Sequence, residues 1–235
     1  MVVSELPFLV GYFLIASTVL AFADGDLGSP VGAAVLLHFH GGGFYSGNKA
    51  REARPLIRHL TSRRGFVCVS ANYRLQPHVT LADQAADVRG AIAWVRAHAA
   101  GFGADPGTLF LAGSSAGANL AIRAVCDGET GIAGLICRYG YYGDLTPRGN
   151  LPPMLIVHGE KDLIPAADVR AFVERARAVS NNPVSYAELP GAHHNFDLYE
   201  SIRSAAISKA VEQFTARAST LSDADHQARQ PTQDS

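Results

Sequence analysis

Leu109-Phe-Leu-Ala-Gly-Ser-Ser-Ala-Gly-Ala-Asn-Leu-Ala121 sets a serine where an apolar run meets a run of small residues. Gly113 and Gly117 lie two residues on either side of Ser115, and both lack the Cβ that would crowd a tight turn. Such a turn lifts a serine hydroxyl off the end of a strand, as a nucleophile needs. Three further groups supply what that serine would require. His40-Gly-Gly-Gly43 offers backbone N–H groups that no side chain shields, Asp162 offers a carboxylate, and His194 offers a base. Serine, histidine, aspartate and a cradle of N–H donors together make the apparatus of acyl transfer through a covalent intermediate. In that apparatus the N–H of Ala116, next after the serine, would join the glycine run in binding the oxyanion. Losing one such donor costs about 3 kcal/mol of transition-state stabilisation.

These groups need strands to hold them, and the pattern supplies the strands. Residues 31–39 (VGAAVLLHF) read as a fully buried strand that runs straight into the glycines. Residues 51–64 have helical spacing, 65–71 form a second buried strand, and 81–100 carry apolar residues at three- and four-residue intervals. The strand ending at Ser114 follows, then a helix over 116–126 and strands over 134–142 and 151–158. A helix over 165–179, a strand over 184–189 and a helix over 197–217 complete the alternation. Strands alternating with helices predict an α/β fold with a mostly parallel central sheet and helices on both faces. In such sheets ligands sit beyond the carboxyl ends of the strands. The glycines, Ser115, Asp162 and His194 each follow a predicted strand, in the chain order serine, aspartate, histidine.

Composition narrows the alternatives. A chain of 235 residues with 48% apolar and 17% charged residues fits one substantial domain. A formal charge of −1 and a pI near 6.7 give no electrostatic case for a nucleic-acid partner. Cys68, Cys126 and Cys137 lie in apolar runs without paired spacing, as expected of reduced thiols in a cytoplasmic protein. No His, Cys or Asp cluster has metal-ligand spacing, and the glycine run lacks the Gly-Lys-Ser/Thr of a phosphate loop. Neither a metal nor a cofactor is expected.

The two ends read differently from the middle. Residues 6–23 (LPFLVGYFLIASTVLAFA) carry no charge and reach the lower length limit for a membrane-spanning helix. The same stretch reads equally as one or two buried strands broken at Pro7 and Gly11, and a cleaved signal peptide is the weakest reading, for want of a basic start. Residues 1–30 are therefore an apolar segment, membrane-associated or part of the sheet, ahead of a domain over 31–217. Residues 218–235 are polar and aperiodic and predict a disordered tail.

The motifs taken together carry a resemblance. His40-Gly-Gly-Gly-Phe44, Asn72-Tyr-Arg-Leu-x-Pro77, Gly113-Ser-Ser-Ala-Gly117, His158-Gly-x-x-Asp162 and His194-x-Phe196 resemble the motif series of the hormone-sensitive-lipase-like esterases, with the α/β-hydrolase fold. The resemblance covers roughly residues 31–217. It implies Ser115 as nucleophile, His194 as general base and then acid, Asp162 as the partner that orients it, and an oxyanion hole from Gly42, Gly43 and Ala116. It implies a small-molecule ester as substrate, and the expected activity is that of a carboxylesterase on short-chain acyl esters. Phe44, Tyr139 and Tyr141 fall where they could wall a substrate pocket, with core packing an equal account of at least one tyrosine.

The chain departs from that family in three ways. The family carries a cap inserted between the strands that precede and follow residues 143–150, and here that connection is short, so the cap is reduced or absent. Asn72 and His78 replace the family's Asp and Glu, which touches a structural network rather than the serine, aspartate and histidine. His193 stands beside His194 where proline is common, leaving His194 the better base. His38 reads as a satisfied core histidine, and Asp144 and Asp168 as surface carboxylates. Two other functions remain compatible with the residues: an amidase or peptidase of the same fold, and a non-catalytic binding homologue.

Overall fold

The computed structural model of the chain describes residues 32–50 and 52–228. The elements run β1 (Ala33–Phe39), α1 (Arg54–Arg64), β2 (Val67–Ala71), α2 (Leu81–His98), β3 (Ala104–Ser114), α3 (Ala116–Cys126) and β4 (Gly134–Arg138). They continue with β5 (Met154–Gly159), α4 (Ala166–Val179), β6 (Val184–Leu189) and α5 (Ile202–Ala228). Among the described residues the strands form one sheet in the order β2-β1-β3-β4-β5-β6, and every neighbouring pair is parallel.

Connection handedness explains where the helices lie. From β1 the chain steps outward to β2, but from β3 onward it steps the opposite way. Right-handed crossovers therefore place α1 on one face and α2, α3 and α4 on the other. The core follows this division. Leu37, Leu111, Leu135 and Ile156 pack with Val88, Ile92, Leu120 and Phe172 from α2, α3 and α4. Leu36, Phe110, Ile136 and Val157 pack with Leu56, Leu60 and Val211 from α1 and α5. A sheet buried on both faces needs strands that are apolar at consecutive positions, hence the runs that mark β1 and β3 in the sequence.

The strand order reverses between β1 and β3, so the loops leaving their carboxyl ends part and open a crevice. The turn after β3 closes against the first of these loops. A Cβ on Gly117 would lie 2.2 Å from the Phe39 carbonyl oxygen, so only glycine lets α3 start this close to β1.

Three boundaries differ from the sequence expectation. β4 stops at Arg138 instead of continuing to 142, because Tyr139 takes a left-handed φ of 41° that ends the strand. The last helix begins at Ile202 rather than 197, since 194–201 are spent on the loop after β6. It then runs on through Ala228, so the part of the predicted disordered tail over 218–228 is helix. Ala218 is 1% exposed and packs in the core, and tertiary burial holds a segment whose polar side chains hid its helical period. The apolar segment 6–23, the boundary at 30 and residues 229–235 lie outside the described residues. No described helix is long and apolar enough to cross a membrane. Residues 139–153, between β4 and β5, form no helix or strand. They are pinned instead: Asn119 donates from Nδ2 to the Tyr141 carbonyl at 2.7 Å, and Arg123 pairs with Asp144.

Candidate active site

Ser115 sits between the end of β3 and the start of α3 with φ 52° and ψ −118°. A non-glycine residue in that region is strained, and such strain is held only where the surroundings fix it. Here the Ser115 N–H donates to the Arg138 carbonyl at 2.9 Å, while the Ser115 carbonyl accepts from the Ala118 and Asn119 N–H groups. Ala116 stands in the first turn of α3, where helix N–H groups have no intrahelical acceptor and carry the positive end of the dipole.

The structure brings Ser115, Asp162 and His194 together. His194 Nε2 lies 3.0 Å from Ser115 Oγ, and its Nδ1 lies 2.9 and 3.0 Å from the two Asp162 carboxylate oxygens. With Nδ1–H donating to the carboxylate, Nε2 is left as the acceptor of the serine proton. The Asp162 side chain is fully buried, and its Oδ1 also accepts from the Ile164 N–H at 2.9 Å. His158, at the end of β5, bonds from Nε2 to the Ile164 carbonyl at 2.9 Å and braces the same loop. His193 is exposed, as are Asp168 and, in part, the Asp144 side chain that pairs with Arg123.

The glycine run lies against the serine. A Cβ on Gly41 would come 3.1 Å from the Ser115 Cβ and from the Ser114 carbonyl oxygen. Its N–H is already taken by the Glu52 carboxylate at 2.7 Å. Gly42 has φ 117°, and a Cβ there would meet the Ser46 carbonyl oxygen at 2.1 Å. Its own carbonyl accepts from the Ser46 N–H at 3.0 Å, closing a tight turn.

Segment 72–77 explains how this loop is held. Tyr73 stacks on His40 with ring centres 4.4 Å apart and donates its hydroxyl to the His40 carbonyl at 2.8 Å. Arg74 bonds Asp87 through backbone and guanidinium, and Gln84 donates to the carbonyls of both Arg74 and Phe44. Asn72, where the family has aspartate, accepts the Lys49 N–H at 2.7 Å.

The three proposed pocket residues separate. Phe44 is half-buried beside the glycine run, and Tyr141 is 43% exposed at the head of the β4–β5 loop. Tyr139 is not a pocket wall: it is 1% exposed, sets the edge of its ring against His194 at 4.9 Å, and donates its hydroxyl to Asp197. Core packing is the account that holds for it, because its left-handed backbone turns the side chain beneath the histidine loop.

Beneath the site lies a polar cluster on the α1–α5 face: His38, Ser70, Ser114 and Arg138, with Asp197 paired to Arg138. His38 is fully buried, and burial, followed by the charge of Arg138, holds its pKa well below the ordinary 6.5. Below pH 6.5 the unfolded chain binds a proton that folded His38 refuses, so this residue makes stability fall as pH falls. Between pH 6.5 and 5.5 that loss is about 1 kcal/mol. Urea unfolding at the two pH values should show a steeper fall in stability for wild type than for His38→Gln, in which buried His40 still contributes; equal pH slopes would refute it.

Sequence reasoning missed Glu52, Arg138 and Asp197. Arg138 had a signal, a lone charge inside the apolar run Gly134-Leu-Ile-Cys-Arg-Tyr139, since a charge in a buried strand needs a partner.

A family model described as alpha/beta hydrolase fold matches residues 36–147. The chain has the α/β-hydrolase fold. Its motif series resembles that of the hormone-sensitive-lipase-like esterases. A probable carboxylic ester hydrolase of Mycobacterium tuberculosis, LipM, is 33% identical over 234 residues, covering 78% of this chain and 54% of LipM. Esterase LipQ of the same organism is 33% identical, with 80% and 56% covered. The chain thus spans just over half the length of these curated relatives. Among solved structures, esterase 2 of Thermogutta terrifontis superposes with a TM-score of 0.70 at 26% identity, covering 82% of this chain and 86% of that one.

Proposed function

We propose that the chain is a serine carboxylesterase acting on short-chain acyl esters through an acyl-enzyme at Ser115. The observation that carries this reading is His194, bonded on one side to Ser115 Oγ and on the other to Asp162. His194 Nε2 takes the hydroxyl proton as Oγ attacks the ester carbonyl, and Asp162 stabilises the imidazolium that forms. The N–H groups of Gly42, Gly43 and Ala116 hold the oxyanion. When the tetrahedral intermediate collapses, the C–O bond to the alcohol breaks and His194 returns the proton to that oxygen. Water then attacks the acyl-serine, giving its proton to His194, and the acid departs as Ser115 is restored.

The short-chain preference draws support from the Thermogutta esterase 2, solved with propionate and with butyrate bound at 26% and 25% identity to this chain. The same esterase has been solved phosphonylated by cyclosarin. The test follows from both. Purified protein should hydrolyse p-nitrophenyl butyrate faster than the dodecanoate, and one equivalent of a fluorophosphonate should label Ser115 and stop turnover. Cleavage of aryl amides in preference to esters would make it an amidase. Absence of labelling, with no ester cleaved, would make it a non-catalytic binding protein.

A further inference from the structure

Arg138 closes β4 in the middle of the sheet, 1% exposed, with its guanidinium paired to the buried Asp197 carboxylate. Burial opposes its charge, but the Asp197 carboxylate, together with Tyr139 and Glu52, outweighs that and raises its pKa above the ordinary value. A buried ion pair is not needed to hold a fold, because well-packed apolar residues of similar volume often serve as well or better. The position of this one points to something else.

Residues 138 and 139 touch both halves of the proposed catalytic apparatus. Towards the nucleophile, the Arg138 carbonyl accepts the Ser115 N–H at 2.9 Å, and its Nη2 donates to Ser114 Oγ at 2.8 Å. Towards the base, Nη1 bonds one Asp197 oxygen and the Tyr139 hydroxyl donates to the other at 2.9 Å. The Tyr139 ring meets the rings of His194 and Phe196, each with centres 4.9 Å apart. Asp197 itself is three residues past His194, in a loop that carries no helix or strand of its own.

We propose that the Arg138–Asp197 pair is a positioning device that locks the His194 loop to the Ser115 turn and so sets the distance between Nε2 and Oγ. The proposal rests on the acyl-enzyme reading given above. Asp162 alone fixes the imidazole from one side through Nδ1, and a ring held at one edge can still swing about its Cβ. The second hold is the edge of Tyr139, whose hydroxyl is fixed by the same carboxylate that Arg138 grips. The pair touches no substrate. Its effect reaches the chemistry through His194, where a displacement of about 1 Å can lower the rate a hundredfold.

The test is the double variant Arg138→Met/Asp197→Asn, which removes both charges without leaving either one buried alone. With p-nitrophenyl butyrate, kcat per folded protein should fall about 10- to 100-fold while KM stays within about twofold. A purely structural pair would lower the melting temperature and leave kcat per folded protein unchanged, and that result overturns the proposal. Should the double variant fail to fold, Tyr139→Phe decides: it deletes the hydroxyl and with it the bond to Asp197. That variant should lower kcat severalfold at constant KM, and an unchanged kcat overturns the proposal. Ser115→Ala, assayed alongside, separates the two levels of inference. Activity surviving in Ser115→Ala removes the acyl-enzyme reading itself, whereas an inactive Ser115→Ala beside a fully active double variant removes only the positioning role.

Discussion

Ser115→Ala should lower kcat for p-nitrophenyl butyrate by about 10⁵- to 10⁶-fold, and His194→Ala by a comparable factor. The two losses should not multiply. Ser115 Oγ and His194 Nε2, 3.0 Å apart, act on one proton, and without either the attack cannot start. A double variant is therefore expected near the single variants, all keeping the part of the rate that binding and the oxyanion donors supply. Folding should survive both changes, since Ser115 holds its turn through backbone bonds to Arg138, Ala118 and Asn119. Substantial turnover by folded Ser115→Ala, or effects that multiply, would place the chemistry on other residues.

The second large effect is at Gly42. Its φ of 117° lies where side chains are rarely tolerated, and a Cβ would sit 2.1 Å from the Ser46 carbonyl oxygen. Gly42→Ala must therefore move the loop and carry the N–H groups of residues 42 and 43 off target. Removing one oxyanion donor costs about 10²- to 10³-fold in kcat, and that is the loss expected, with little change in KM. Gly43 is the internal comparison. At φ 62° with no atom within 4 Å of a Cβ, Gly43→Ala meets only the backbone penalty of about 1–2 kcal/mol and keeps its N–H. Kinetics and thermal melts of the two variants check the assignment. Equal, small effects on kcat would mean that this loop does not bind the oxyanion.

These predictions mark the division between what the sequence reveals and what only packing reveals. Ser115, Asp162, His194 and the glycine run follow strand ends, and parallel-sheet geometry gathers strand ends into one crevice, so local pattern suffices to find them. Glu52 is another matter. Nothing local marks it, because its role depends on the Gly41 N–H reaching it from eleven residues away. Arg138 and Asp197 lie farther apart still, and two charges become one feature only once β4 and the histidine loop have met. Tyr139 shows the opposite error. Its place after a strand suggested a pocket wall, whereas the left-handed turn at that residue sends the ring under His194. The last helix runs past 217, where polar residues mask a period that Ala218 completes by burial.

The reversal of strand order gives the site a handedness. The glycine loop leaves β1 on one side of β3, while Asp162 and His194 come from beyond β5 and β6 on the other. In the proposed acyl transfer, a carbonyl bound above Ser115 would aim its oxygen towards the first side and its departing alkoxide towards the second. The acyl chain would be left one remaining direction, and the hydroxyl would then reach only one prochiral face of the ester.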